Sequence, residues 1–168
     1  MIRVVVGDLV SVVADAVVRP ANGNLEATTP ALRRLELAAG PGFRELCRVQ
    51  RELGVGAAVV TPSGELAAEL VVHAVVMTRA EPVTAAGVRR AAAAALRQAG
   101  QWRIETLALP PLGTGAGQLS VEEAADAIGL ALADRAPGAE YPAHIVVVVE
   151  TDAEREIFEA RLAGGSLS

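Results

Sequence analysis

Short runs of β-branched residues alternate along this chain with longer stretches of helical periodicity. Ile2 to Val6 and Ala16 to Val18 are the first apolar runs, read as buried strands ended by Gly7-Asp8 and by Pro20. Thr29-Pro30 supplies an N-cap and a first-turn proline for a helix over Ala31 to Ala39, stopped by Gly40-Pro41. A second helix is predicted from Phe43 to Leu53. There Phe43, Leu46, Cys47, Val49 and Leu53 fall largely on one stripe, opposite Arg44, Arg48, Arg51 and Glu52. Ala57 to Thr61 and Leu70 to Val76 read as strands joined through Pro62-Ser63-Gly64, a turn sequence. The alanine-rich run from Thr84 to Gln98 is a helix by propensity, ended by Gly100. Thr106 to Leu109 is the next strand, and Ser120-Val121-Glu122-Glu123 is a capping box that opens a helix to Asp134. His144 to Val149 is apolar almost without interruption, as an interior strand is. Thr151-Asp152-Ala153-Glu154 opens a last helix to about Ala163, with 164–168 expected to fray.

Six strands separated by helices, after an initial pair of strands, predict an α/β fold. The expected form is a three-layer α/β/α sandwich on a mixed, mostly parallel central sheet of about six strands. At 168 residues this is one expected domain, over 1–163. Ligands of such sheets sit beyond the carboxyl ends of the strands. Three polar or glycine-bearing turns are expected there: Gly7-Asp8-Leu9, Ala21-Asn22-Gly23-Asn24 and Gly113 to Gly117.

Composition narrows the chemistry. Net charge is −5 and aromatic residues are few, which argues against capture of nucleic acid by charge or by base stacking. All 15 basic residues are arginine, so Schiff-base chemistry and a Walker-type phosphate lysine are excluded. No apolar run approaches the length of a membrane span, and the apolar N-terminal segment is too short for a signal peptide. A single cysteine, Cys47, forms no internal disulfide; the expected compartment is cytoplasmic, and Cys47 and His73 are expected to be core residues. No metal site and no cofactor are expected.

The candidate chemistry lies in Leu109-Pro110-Pro111-Leu112-Gly113-Thr114-Gly115-Ala116-Gly117-Gln118-Leu119-Ser120. Glycines 113, 115 and 117 permit positive φ and close approach of a ligand, and successive N–H groups in such a loop form a nest for phosphate oxygens. The capped helix that follows adds partial positive charge. The spacing G-x-G-x-G after a late strand is not the dinucleotide fingerprint G-x-G-x-x-G.

Taken together, these segments resemble the macrodomain family, modules that bind ADP-ribose and its derivatives. Gly7-Asp8-Leu9 resembles the family's G-D-I, and Asp15-Ala16-Val17-Val18-Arg19-Pro20-Ala21-Asn22 its D-A-I-V-N-A-A-N. Ala38-Ala39-Gly40, Gly56 to Thr61, Val72-His73 and Leu109 to Gly115 match further family segments in order, so the resemblance covers nearly the whole chain. It implies that Asp8 accepts from the adenine amino group with the Leu9 backbone nearby, and that Asn22 contacts the distal ribose. It further implies that Gly113, Thr114, Gly115, Ala116 and Gly117 cradle the diphosphate.

The departures bear on function. Arg19 replaces the first Asn of the motif, and the family's second glycine loop aligns with Ala27-Thr28-Thr29-Pro30-Ala31. Pro30 has no N–H, so the Thr28 and Thr29 hydroxyls and the following helix N-terminus are the expected substitutes. Leu32 aligns with the Asp of hydrolytic members, and Glu150 stands where many members stack an aromatic on adenine, a loss on the order of 1 kcal/mol. The expected function is binding of ADP-ribose or a related nucleotide diphosphate, free or carried on an ADP-ribosylated protein. Two alternatives accompany it. One is a hydrolase of ADP-ribosylated protein, ADP-ribose 1''-phosphate or O-acetyl-ADP-ribose in which Asn22 positions a water; the other is a site retuned for another phosphorylated metabolite or lost.

Overall fold

The structure is a computed structural model that describes residues 1–115 and 118–164. Its strands are β1 (Ile2–Val6), β2 (Ala16–Asn22), β3 (Ala58–Pro62), β4 (Leu70–Met77), β5 (Thr106–Leu109) and β6 (His144–Val149). Its helices are α1 (Pro30–Ala38), α2 (Phe43–Leu46), α3 (Ala85–Gln101), α4 (Val121–Ala133) and α5 (Asp152–Gly164). The six strands form one sheet in the order β1-β6-β5-β2-β4-β3, parallel throughout except for β3 against β4. This is the mixed, mostly parallel sheet that the alternation of elements predicts.

Helices cover both faces. On one face Val18, Val72, Leu107 and Val147 pack against the alanines of α3, α4 and Phe158 of α5. On the other, Val17, Val71 and Val146 meet Phe43, Cys47 and the chain around α1 and α2. Ala91, Ala95 and Ala99 are buried on α3, where small side chains let the helix lie close to the sheet. At the amino-terminal edge Asp15 fastens three strands together. Its carboxylate accepts from Thr106 N at 2.8 Å, and its carbonyl accepts from Glu69 N and Leu70 N.

The chain leaving β5 returns through α4 to β6, whereas the chain leaving β2 passes over the other face through α1 toward β3 and β4. β5 and β2 therefore meet at a topological switch point. Their pairing is brief: Ala16 with Leu107 and Val17 with Ala108, after which the two strands separate.

Four sequence expectations require correction. β2 does not end at Pro20 but runs to Asn22, because beyond Val17 it has lost its β5 partner and a proline there costs no ladder bond on that side. The second helix stops at Leu46 instead of Leu53; the segment after it is captured by tertiary bonds, Leu53 N donating to Gly23 O at 2.7 Å and Gly56 N to Val75 O at 3.0 Å. α3 runs through Gly100 to Gln101, and the left-handed residue that turns the chain is Arg103, φ +52°. β1 is an edge strand with Ile2 and Val6 substantially exposed, not a buried one. Of the expected frayed end, Gly164 closes α5 and 165–168 lie outside the described residues. No helix of the described residues is long and apolar enough to cross a membrane.

Candidate functional site

A cleft of about 670 Å³ opens at the carboxyl ends of β1, β6, β5 and β2. That is the volume of a site for a drug-sized or nucleotide ligand. Gly7, Asp8 and Leu9 follow β1 into it, Pro110, Pro111, Thr114 and Gly115 follow β5, and Thr29 to Leu32 and Arg34 enter from α1. Val148, Glu150 and Glu154 close the β6 side.

The loop after β5 is held by its own hydrogen bonds. Thr114 donates through both its N–H and its hydroxyl to Pro111 O, at 3.4 and 2.9 Å, so the hydroxyl fixes the loop. Leu119 N donates to Gly113 O at 3.0 Å and Gln118 N to Gly115 O at 3.1 Å. Gly113 has φ +83° but does not line the cleft; a Cβ there would meet Val88 Cγ2 at 2.5 Å, so this glycine is required by packing against α3. Gly115, φ +142°, does line it, and a Cβ there would come within 3.3 Å of the Thr29 methyl. The β5 loop and the start of α1 thus approach closely at Gly115 and Thr29.

Two helix N-termini border the cleft. Thr29 caps α1 by accepting from Leu32 N at 3.3 Å. Ser120 caps α4: its hydroxyl accepts from Glu123 N at 3.1 Å, and the Glu123 carboxylate accepts from Ser120 N at the same distance. Both dipoles present their positive ends to the same space.

Asp8 Oδ1 accepts from Val10 N at 2.9 Å, an Asx turn that leaves the second carboxylate oxygen to a ligand. Asn22 is differently employed. Its Oδ1 accepts from Asn24 N and Glu26 N, both at 3.0 Å, and its Nδ2 donates to Glu26 Oε1 at 3.3 Å, so the amide organises its own turn. The structure therefore gathers Asp8, Leu9, Thr29, Thr114 and Gly115 around one cleft, whereas Asn22, Thr28 and Gly113 are not among the described residues that line it. Ala116 and Gly117 lie outside the described residues. Sequence reasoning missed Arg34, Ser120 and Glu154 as lining residues. Arg34 carried a legible signal, standing three residues after Ala31 on the same helical face.

Arg19, the replacement in the β2 motif, points away from solvent and is fully buried. Nη1 donates to Leu25 O at 2.9 Å and to His73 Nδ1 at 3.0 Å, Nη2 pairs with the Glu36 carboxylate of α1, and Nε has no partner among the described residues. The Phe43 ring lies 5.8 Å from the guanidinium carbon. Burial, with Arg19 adjacent, lowers the His73 pKa to about 3, and burial pushes the Cys47 thiol up. A neutral ring and a protonated thiol describe a structural cluster, not a nucleophile with its base. Among the described residues no group of three or more His, Cys, Asp or Glu is placed to share a metal ion.

Comparison with known proteins gives a consistent answer. The family model described as Macro domain matches residues 18–128. A protein of Aeropyrum pernix is 36% identical over 151 residues, which is 88% of this chain and 78% of that protein. A protein of Mycobacterium tuberculosis is 29% identical over 158 residues, 94% of this chain, and the chain spans 44% of its length. A protein of Enterobacter sp. named O-acetyl-ADP-ribose deacetylase is 36% identical over 120 residues, 68% of this chain and 67% of that protein. Among solved structures, a variant of the Oceanobacillus iheyensis macrodomain with ADPR superimposes with a TM-score of 0.84 at 20% identity, covering 96% of this chain and 91% of that one.

Proposed function

This chain belongs to the macro domain family, and we propose that its cleft binds ADP-ribose or a related nucleotide diphosphate. The observation that carries the reading is the meeting of Gly115 with two capped helix N-termini in a cleft of ligand size. Diphosphate oxygens lie against the β5 loop and the positive ends of α1 and α4, where main-chain donors neutralise charge without lysine. The free oxygen of Asp8 accepts from the amino group of the base, and the Leu9 backbone borders it. With Glu150 at the rim the base packs between aliphatic side chains such as Leu9 and Val148. Isothermal titration with ADP-ribose beside a Gly115→Glu variant tests this: the parent takes up ligand and the variant, whose side chain fills the gap toward Thr29, does not. No heat from the parent at millimolar ligand overturns the reading.

The identity to a protein named O-acetyl-ADP-ribose deacetylase supports a second reading, hydrolysis of an acyl ester of ADP-ribose in the same cleft. In it water adds to the acyl carbon, the ester oxygen leaves as the ribose hydroxyl, and acetate is released. Leu32, buried at the cleft wall, has no proton to give or take, and the Asn22 amide is committed to Asn24 and Glu26. Incubation with O-acetyl-ADP-ribose decides: acetate release no faster than from the Gly115→Glu variant, whose cleft is blocked, or from buffer alone removes this reading and leaves binding intact.

A further inference from the structure

We propose that Arg34 is the cleft's phosphate-reading cation, a role that rests on the binding reading above and replaces donors that the α1 wall lacks. Pro30 has no N–H, Leu32 N is spent on the Thr29 hydroxyl, and Arg33 N on Thr29 O at 3.1 Å. Among the described residues Ala31 N is the one unspent N–H of the first turn of α1 at the cleft, so that turn offers a diphosphate a single main-chain donor beside its dipole. Arg34 stands one turn into the same helix, is exposed, and lines the cleft. Among the described residues it has no ion pair and no side-chain hydrogen bond, whereas Arg44, Arg48, Arg89, Arg155 and Arg161 each engage a carboxylate. It is also the sole basic side chain among the described residues that line the cleft.

Charge along the cleft gives the ligand a direction. Asp8, Glu150 and Glu154 belong to the β1 and β6 end, while α1 is tied to β2 by the Arg19–Glu36 pair. β6 and β2 are separated by β5, and β2 diverges from β5 beyond Val17, which puts the two ends at least roughly 10 Å apart. A nucleotide entering with its phosphates toward β6 meets three carboxylates. Entering with an amine-bearing base there, it brings the phosphates beneath Arg34, whose planar fork matches two phosphate oxygens at once. Arg34 is thus a specificity-determining residue, favouring a diphosphate held at the α1 end.

The test is titration of ADP-ribose into the parent, Arg34→Gln and Arg34→Lys, each at low salt and at 1 M NaCl. Because the site is exposed, the expected loss in Arg34→Gln is about tenfold in affinity at low salt, with Arg34→Lys between the two. The gap closes at 1 M NaCl, where charges are screened within about 3 Å, and the unfolding midpoints of all three chains agree. Affinity of Arg34→Gln within twofold of the parent at low salt, or a gap unchanged at 1 M NaCl, overturns the role of Arg34 while leaving the cleft as a binding site. A parent that binds no ADP-ribose in either buffer overturns the binding reading and this role with it.

Discussion

Arg19 and His73 are register partners across β2 and β4, and their side chains meet on the face covered by α1, with Arg19 Nη1 donating to His73 Nδ1 at 3.0 Å. A guanidinium only donates, so Nδ1 is the bare nitrogen and the ring proton lies on Nε2. Nε2 then donates to Thr61 Oγ1 at 2.8 Å, and that hydroxyl donates onward to Pro62 O at 3.0 Å. Both ring nitrogens are occupied, and a second ring proton has neither solvent nor an acceptor.

Stability depends on pH through this ring. In the unfolded chain His73 takes up its proton near the usual 6.5, whereas in the folded chain it does so only near 3. Between those values the unfolded state binds the extra proton, so the stabilisation is complete above pH 6.5 and is lost as pH falls toward 3. Urea denaturation of the parent at pH 7, 6, 5 and 4 is expected to lose up to about 1.4 kcal/mol per pH unit from this group. His73→Gln flattens that slope across the same window.

Glu36→Gln leaves the Arg19 guanidinium buried without its counter-charge. A loss of about 3 kcal/mol in unfolding free energy is expected. The double variant Arg19→Met, Glu36→Leu, which removes both charges but leaves Leu25 O and His73 Nδ1 without their donor, recovers only part of it. Denaturant midpoints of the single and double variants check the pair, and a single variant as stable as the parent contradicts the burial described.

The two glycines of the β5 loop are expected to respond differently. Gly113→Ala sets a methyl 2.5 Å from Val88 Cγ2 at positive φ, and a destabilisation of about 2 kcal/mol or more follows. Gly115→Ala is also strained, at φ +142°, but its methyl lies 3.3 Å from the Thr29 methyl at the cleft, so ADP-ribose affinity falls along with stability. Thermal unfolding and titration on the same two samples separate the effects.

Asn22→Ala removes the acceptor for two main-chain N–H groups, at Asn24 and Glu26. A stability loss of about 1–2 kcal/mol is expected from those bonds alone. Amide hydrogen exchange at Asn24 and Glu26 quickens in this variant, which identifies turn-holding as the work of the side chain.

Much of this was legible beforehand because it is local. Thr29 and Ser120 cap helices as their sequence context predicts, and Ile145 to Val149 is an unbroken apolar run because β6 is paired on both sides. The family resemblance of Gly7 to Leu9 and of Leu109 to Gly115 also led to the right rim of the sheet. What escaped depends on contacts distant in sequence. The segment after Leu46 has helical periodicity, yet Gly23 and Val75 hold it in another form. The partner of Arg19 is Glu36, one helix away, which no spacing rule identifies. Gly113 looked like a phosphate-loop glycine and is one that α3 requires, a distinction that only the neighbour Val88 reveals.

The brief pairing of β2 with β5 has an architectural consequence. Two strands that run together for Ala16 and Val17 and then diverge create a hollow out of main chain alone, with no large side chain removed to make it. Such a hollow depends on the course of the two strands, so side-chain substitutions on its walls change its lining without closing it. The rim of that hollow carries Asp8, Arg34 and Glu150, two carboxylates and one guanidinium.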